Sequence, residues 1–138
     1  MIAYVDASVV LRIALGQPNA LPEWRHIDRG VSSALVMTES LRTLDRLRLR
    51  AGLSDNEMAR RRSTVLALID SLALIEIDGL VLDRASQPIP TELGTPDAIH
   101  LASSLLWQDT SGEDLTMATH DRALGIAAQA HGLKVVGI

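Results

Sequence analysis

The sequence predicts an α/β fold, a three-layer sandwich with a mainly parallel central sheet and an added helical hairpin. Short apolar runs typical of buried strands alternate along the chain with segments whose apolar residues recur at helical spacing. Strands joined through helices run parallel with right-handed crossovers, so this alternation favours one sheet covered by helices on both faces. At 138 residues and 47% hydrophobic composition, we expect residues 1–138 to form a single domain.

The first strand is predicted at Ile2–Val5, and a helix follows in which the apolar residues between positions 9 and 14 keep helical spacing. Asp6 therefore lies where a strand ends and a helix begins. Ligands of open parallel sheets bind beyond the carboxyl ends of the strands, where strand order reverses, so a central first strand would place Asp6 at a binding site. Taken alone, Asp6 is better explained as a helix N-cap, because its side chain can accept from the free N–H groups of the first turn.

The remaining elements follow from turn signals and apolar periodicity. Helices are predicted at residues 21–27, 36–50, 54–72, 81–86, 95–107 and 123–130, and strands at residues 30–35, 74–77, 115–119 and 133–136. Residues 87–95 and 108–114 are expected to be loops. Thr95 as N-cap and Pro96 at the first helical position mark the most specific helix start of the chain.

The helices at residues 36–50 and 54–72 form the predicted hairpin. Gly52 lies in the turn between them, and residues 54–57 have the Ser-x-x-Glu form of a capping box. Both helices are rich in arginine, at positions 42, 46, 48, 50, 60, 61 and 62. Such a run is typical of a solvated surface. The functional alternative is a grip on backbone phosphates or a dock for an acidic partner.

Composition excludes several classes of protein. The absence of cysteine excludes disulfides, thiolate metal sites and cysteine nucleophiles. The formal net charge of −4 argues against a non-specific coat on nucleic acid, but not against an enzyme that places metal ions between its carboxylates and a phosphate. Tyr4, Trp24 and Trp107 are the only aromatic residues, too few for serial base stacking. With no apolar run long enough to cross a bilayer and no amino-terminal export signal, we expect a cytoplasmic protein.

Four acidic residues occur at or just inside predicted helix starts, namely Asp6, Glu39, Asp97 and Asp121. Each is explained singly as a cap or as a partner of the helix dipole. Together they can share one rim of the sheet, where their charges would repel unless a cation lay among them. A hard divalent metal such as Mg²⁺ prefers oxygen ligands and suits hydrolysis of a phosphodiester bond. The hydroxyls of Ser8 and Thr119 are near enough in sequence to bond a carboxylate, a water or a phosphate.

Asp78 provides an internal comparison, because it also follows a predicted strand. We expect that strand to lie at the sheet edge and interpret Asp78 as a cap alone. The histidines, at positions 26, 100, 120 and 131, lack the spacing of a zinc site, and His100 is expected to pack or bond beside Asp97. The sequence also lacks a Walker loop, a dinucleotide fingerprint and a nucleophile elbow.

Four short motifs follow one another in an order and at a spacing that are typical of a known protein family. They are Val5-Asp6-Ala7-Ser8, Thr38-Glu39-Ser40-Leu41, Asp97-Ala98-Ile99-His100-Leu101-Ala102 and Thr119-His120-Asp121-Arg122-Ala123-Leu124. In these motifs, and in the closing Gly132-Leu133, the chain resembles a PIN-domain ribonuclease, and more narrowly a VapC-type toxin of a type II toxin-antitoxin pair. The resemblance covers essentially the whole chain.

The resemblance implies a PIN-like fold and an endoribonuclease that depends on Mg²⁺ or Mn²⁺. Its catalytic and metal-binding residues would be Asp6, Glu39, Asp97 and Asp121. It also implies an RNA substrate, a homodimer, and neutralisation by a small VapB-like antitoxin whose tail covers the active-site groove. The strand order of the family places the first strand centrally, which supports the shared rim.

Two other interpretations stay open on the sequence. A non-catalytic module of the same fold would bind a protein partner or RNA, and metal titration together with a cleavage assay separates it from a nuclease. A phosphotransfer receiver also places acids at strand ends. Here, however, no Asp-x-Asp pair follows the first strand and no Lys-Pro pair follows a late one.

Overall fold

The computed structural model describes residues 1–138 and contains one sheet of five strands that all pair in parallel. The strands are β1 (Ile2–Val5), β2 (Arg29–Ser33), β3 (Leu72–Ile75), β4 (Thr116–Ala118) and β5 (Lys134–Val136). Their order across the sheet is β3-β2-β1-β4-β5. The central position of β1 and the edge position of β3 are as predicted.

Six α-helices cover the sheet, and together with it they confirm the predicted α/β sandwich. They are α1 (Ala7–Ala14), α2 (Leu35–Ala51), α3 (Asp55–Asp70), α4 (Gly79–Ala85), α5 (Thr95–Ser111) and α6 (Arg122–Ala130). A short 3₁₀ helix, Pro22–His26, precedes β2. None of the helices combines the length and the apolar composition needed to cross a bilayer.

The residues of β1 face two different layers of helices, because side chains alternate across a strand. Ala3 and Val5 belong to a core with α1, α2 and α3, which includes Leu44. Tyr4 belongs to a second core with α5 and α6, which includes Leu124. Burial on both faces explains why the first strand is an unbroken apolar run.

The helical hairpin consists of α2 and α3. Gly52 ends α2 with a φ of 64°, a left-handed conformation that glycine adopts without strain. Ser54 begins α3, and its Oγ accepts a hydrogen bond from the Glu57 N–H at 3.2 Å. Both helices pack with α1 on the same face of the sheet.

Several element boundaries differ from the prediction. The third strand is Leu72–Ile75 rather than 74–77, and α3 accordingly ends at Asp70. Leu72 is 9% exposed whereas Leu74 is 41% exposed, so the apolar residues of this edge strand are not all buried. The second strand ends at Ser33 rather than 35, because the Ser33 Oγ accepts from the N–H of the first α2 residue at 3.1 Å.

Three further predictions about helices are wrong in part. The helix predicted at residues 21–27 is a 3₁₀ helix, Pro22–His26, rather than an α-helix. The expected loop at 108–114 is helical as far as Ser111, and α5 ends where Gly112 takes a φ of 69°. The N-cap of α5 is Gly94, and Thr95 is its first helical residue. Helix ends are set by such local backbone geometry, which composition alone does not resolve.

Candidate metal centre

The carboxyl ends of β1 and β4 open into a cleft of about 430 Å³. The chain passes from β1 to β2 on one side, whereas β4 pairs on the other side, so strand order reverses here. All four acids selected from the sequence line this cleft: Asp6, Glu39, Asp97 and Asp121. Asp6 and Asp121 cap α1 and α6, and Asp97 lies in the first turn of α5. Glu39 lies in the second turn of α2.

Asp6 is 5% exposed and is held by two hydroxyl groups. Its Oδ2 accepts from the Ser8 Oγ at 2.5 Å and from the Thr119 Oγ1 at 2.9 Å. Each hydroxyl also accepts a backbone N–H from the turn after β4, with Ser8 bonded to His120 and Thr119 bonded to Asp121, both at 2.9 Å. Ser8 and Thr119 therefore fasten the turn after β1 to the turn after β4.

His100 lies fully buried in α5 and connects two of the acids. Its Nε2 lies 2.5 Å from the Glu39 Oε2 and 3.9 Å from the Asp6 Oδ1. Its Nδ1 lies 2.8 Å from the Tyr4 hydroxyl, whose oxygen accepts the Ser33 N–H at 3.0 Å. In the neutral ring, Tyr4 donates to Nδ1 and Nε2–H donates to Glu39, which fixes the orientation of that carboxylate.

The pKa values in the cleft indicate an excess of negative charge. Burial and the charges of Asp121 and Asp6 raise the pKa of Asp97 to about 6. Burial lowers the pKa of His100, but the hydrogen bond that its Nε2–H donates to Glu39 and the surrounding carboxylates outweigh burial and raise this pKa above its usual value. Both shifts favour a protonated group, as expected where like charges are crowded.

This donor set fits a hard divalent cation. Ligand atoms of Asp6, Glu39 and His100 lie within 4.8 Å of one another, and Asp97 and Asp121 line the same cleft. Carboxylate oxygens suit Mg²⁺ and Mn²⁺. A cation among them would offset the repulsion that raises the pKa of Asp97.

The sequence predicts His100 beside Asp97, and the structure gives its ring two other hydrogen-bond partners, Glu39 and Tyr4. A signal was present in the sequence. His100 stands among the apolar residues Ala98 and Leu101 of a buried helix face, and Tyr4 stands in an apolar strand. Buried polar side chains need partners, so two of them on elements that pack together are candidates for a bond.

Asp78 is an exposed residue that follows the edge strand of the sheet. Its Oδ1 accepts from the Val81 N–H at 3.0 Å and caps α4. It follows the edge strand β3 and does not line the cleft. The interpretation of Asp78 as a cap agrees with this geometry.

The arginines of the hairpin separate into two sets. Arg42 and Arg46 line the cleft. Others bind within the hairpin or to its neighbour: Arg48 pairs with Asp55 at 3.0 Å, and the Arg61 Nη1 donates to the carbonyl oxygen of the last α1 residue at 2.9 Å. The sequence did not distinguish these two sets, because the distinction depends on which helix face each side chain occupies.

Comparison with known proteins places these features in a family. The family model of the PIN domain matches residues 3–124. Ribonuclease VapC46 of Mycobacterium tuberculosis (strain ATCC 25618 / H37Rv) is 34% identical over 137 residues, which cover 96% of this chain and 95% of that protein.

Solved structures share the fold at lower identity. VapBC2 from Rickettsia felis, bound to a DNA fragment from its promoter, matches with a TM-score of 0.67 and 11% identity over 98% of this chain and 97% of that chain. PAE2754 from Pyrobaculum aerophilum matches with a TM-score of 0.65 and 23% identity, over 99% of this chain and 84% of that chain. A toxin-antitoxin complex from Klebsiella pneumoniae matches with a TM-score of 0.63 and 16% identity, over 86% of each chain. With a family model that spans most of its length and a relative at 34% identity, this chain belongs to the PIN domain family and is of the VapC type.

Proposed function

We propose that this chain is a metal-dependent endoribonuclease that hydrolyses RNA phosphodiester bonds and acts as the toxin of a toxin-antitoxin pair. The observation that carries the proposal is the meeting of four carboxylates from four separate segments in one cleft. The name of the relative VapC46, a ribonuclease, supports RNA as the substrate. The cleft residues Asp6, Glu39, Asp97 and Asp121 are the proposed ligands of Mg²⁺ or Mn²⁺ and the proposed catalytic residues.

Each residue has a separate task in this proposal. A bound divalent ion lowers the pKa of a water molecule and polarises a phosphoryl oxygen. Ser8 and Thr119 hold Oδ2 of Asp6, and its Oδ1 would be the oxygen that binds the ion. His100 holds Oε2 of Glu39, and the other oxygen of that carboxylate can orient the attacking water.

We further propose that residues 1–138 act as one cytoplasmic domain that forms a homodimer and is neutralised by a small VapB-like antitoxin. The Klebsiella pneumoniae protein of similar fold is part of a toxin-antitoxin complex, which supports a protein partner. Co-expression tests this role. Growth arrest caused by this chain should be relieved by a short neighbouring reading frame, and harmless expression of the chain alone would contradict a toxin.

The test of the chemistry is cleavage of a fluorescent single-stranded RNA with Mg²⁺, with Mn²⁺ or with EDTA. We expect cleavage only with metal, and loss of cleavage in Asp97→Asn while circular dichroism shows a retained fold. Asp109→Asn is the matched control, because it changes an exposed aspartate of the same helix. Calorimetry with Mn²⁺ separates the alternative, since a chain that neither binds metal nor cuts RNA would be a non-catalytic module.

A further inference from the structure

In addition to its four acidic residues, the cleft is lined on one side by positively charged side chains. Arg42 and Arg46 are the only lysine or arginine residues among those that line it. They follow Glu39 by one and two helical turns and so lie on the same face of α2. At a rise of 1.5 Å per residue, the two arginine backbones stand about 4.5 and 10.5 Å along the helix from Glu39.

Both guanidinium groups are available to a ligand. The Arg42 Nη1 lies 3.0 Å from the Asp45 Oδ2, in a pair whose side chains are 63% and 52% exposed. Exposed pairs of this kind contribute little stability and exchange readily with other partners. The Arg46 Nη2 donates to the neutral Thr43 Oγ1 at 2.9 Å. Arg48, by contrast, does not line the cleft and pairs with Asp55 across the two helices of the hairpin.

We propose that Arg42 and Arg46 bind the RNA phosphates next to the scissile phosphate, so that the substrate strand runs along α2. This inference rests on the proposed nuclease function. Guanidinium groups bind phosphate oxygens through paired N–H bonds. The four carboxylates of the cleft, in a chain of net charge −4, repel a polyanion, and the two arginines offset that repulsion where the strand must pass.

The aromatic residues support phosphate contacts as the main source of affinity. Tyr4 is fully buried, and neither Trp24 nor Trp107 lines the cleft. Stacking of bases on aromatic rings is therefore not provided beside the acids. Phosphate contacts position a strand without reading its bases, so the arginines set the path of the RNA rather than its sequence preference.

The first test is a salt series of RNA cleavage with Mn²⁺ by Arg42→Gln, Arg46→Gln and the double variant. Removing one charge-assisted bond should raise KM about tenfold and leave kcat unchanged. The slope of log kcat/KM against log salt should become shallower by about 0.7 for each arginine removed. Arg60→Gln, which changes an arginine paired with Glu57 outside the cleft, should keep the wild-type values. A wild-type salt slope in the double variant overturns the proposal.

A second test identifies the phosphate that Arg46 contacts. RNA with one neutral methylphosphonate, placed in turn on each side of the scissile bond, should lose affinity for the wild type at the contacted position. Arg46→Gln should lose no further affinity at that same position, since the interaction has already been removed. Additive losses at every position would contradict a direct contact.

Failure of the proposed function is separable from failure of this inference. If the wild type cuts no RNA, RNA binding is measured instead by fluorescence anisotropy over the same salt series. The slope of log affinity against log salt should then become shallower by the same amount for each arginine removed, which tests the arginine contacts independently of cleavage. Unchanged RNA slopes together with lost binding of a decaglutamate peptide would assign the two arginines to an acidic protein partner and overturn the inference.

Discussion

Asp6 and Asp78 are aspartates in the same local setting at two places in the sheet. Each follows a parallel strand and caps the next helix, with Asp6 accepting from the Ser8 N–H at 3.3 Å and Asp78 from the Val81 N–H at 3.0 Å. Asp6 follows the central strand and is buried, whereas Asp78 follows the edge strand and is exposed. Local sequence therefore decides whether an aspartate caps a helix, whereas its position in the sheet decides whether it lies in the cleft with the other acids.

The neighbouring strand makes the difference. The turn after β4 brings Thr119 and Asp121 against the turn after β1, and the starts of α2 and α5 bring Glu39 and Asp97 to the same cleft. No second turn of this kind closes on Asp78, because β3 has a neighbour on one side only.

Asp6→Asn should have the largest effect on RNA cleavage, and Asp78→Asn is its matched control. Asparagine is also a good N-cap, so both variants should keep their helices. Loss of the Asp6 charge should lower RNA cleavage with Mn²⁺ by at least about a hundredfold, because several kcal/mol of metal-dependent stabilisation are removed. Asp78→Asn should cleave at the wild-type rate. Equal initial rates in the two variants would contradict the role of the cluster.

A smaller effect is expected from the hydroxyls that distinguish the central turn. Thr119→Val removes the donor to Asp6 and the acceptor of the Asp121 N–H. Partners that orient a metal ligand are worth about 10- to 100-fold in affinity, and calorimetry with Mn²⁺ should show a loss of that size. Thr64→Val is the matched control, because the Thr64 hydroxyl donates to the Arg60 carbonyl oxygen and Thr64 does not line the cleft. A wild-type affinity in Thr119→Val would show that Asp6 is held by other contacts.

The smallest expected effect is on the pH dependence of the free energy of unfolding of the metal-free protein. Asp97 has a pKa of about 6 in the folded state against an ordinary value of 3.8. The folded state thus binds the proton more tightly than the unfolded state, and the free energy of unfolding should fall as pH rises between these two values. Urea unfolding in EDTA should show this fall in the wild type and in Asp78→Asn, and a flatter profile in Asp97→Asn. Identical profiles in all three proteins would contradict a raised pKa of Asp97 in the folded state.

Short-range patterns predicted the elements well where packing follows the local period. β1 is apolar on both faces, and the cap at Ser54 is set by residues within one turn. The edge strand β3 was misplaced because half of its apolar residues face solvent. The end of α5 was missed because its last residues are polar and exposed, and nothing except Gly112 marks the stop.

The acids of the candidate site were selected from motifs, but the contacts that hold them depend on distant residues. The partners of His100 are Glu39 and Tyr4, 61 and 96 positions away in sequence. The separation of Arg42 and Arg46 from the other arginines likewise depends on how α2 is turned against the sheet. Such pairings arise from tertiary packing, which the periodicity of one segment does not encode.

The two hydroxyl bonds to Oδ2 of Asp6 carry a consequence for control of the protein. They form when β1 and β4 come together, so folding itself sets the geometry of the cleft before any ion or nucleic acid arrives. A domain assembled in this way needs no moving part to become competent. Restraint of its activity must then come from outside the chain, through the supply of cations or through a molecule that occupies the cleft.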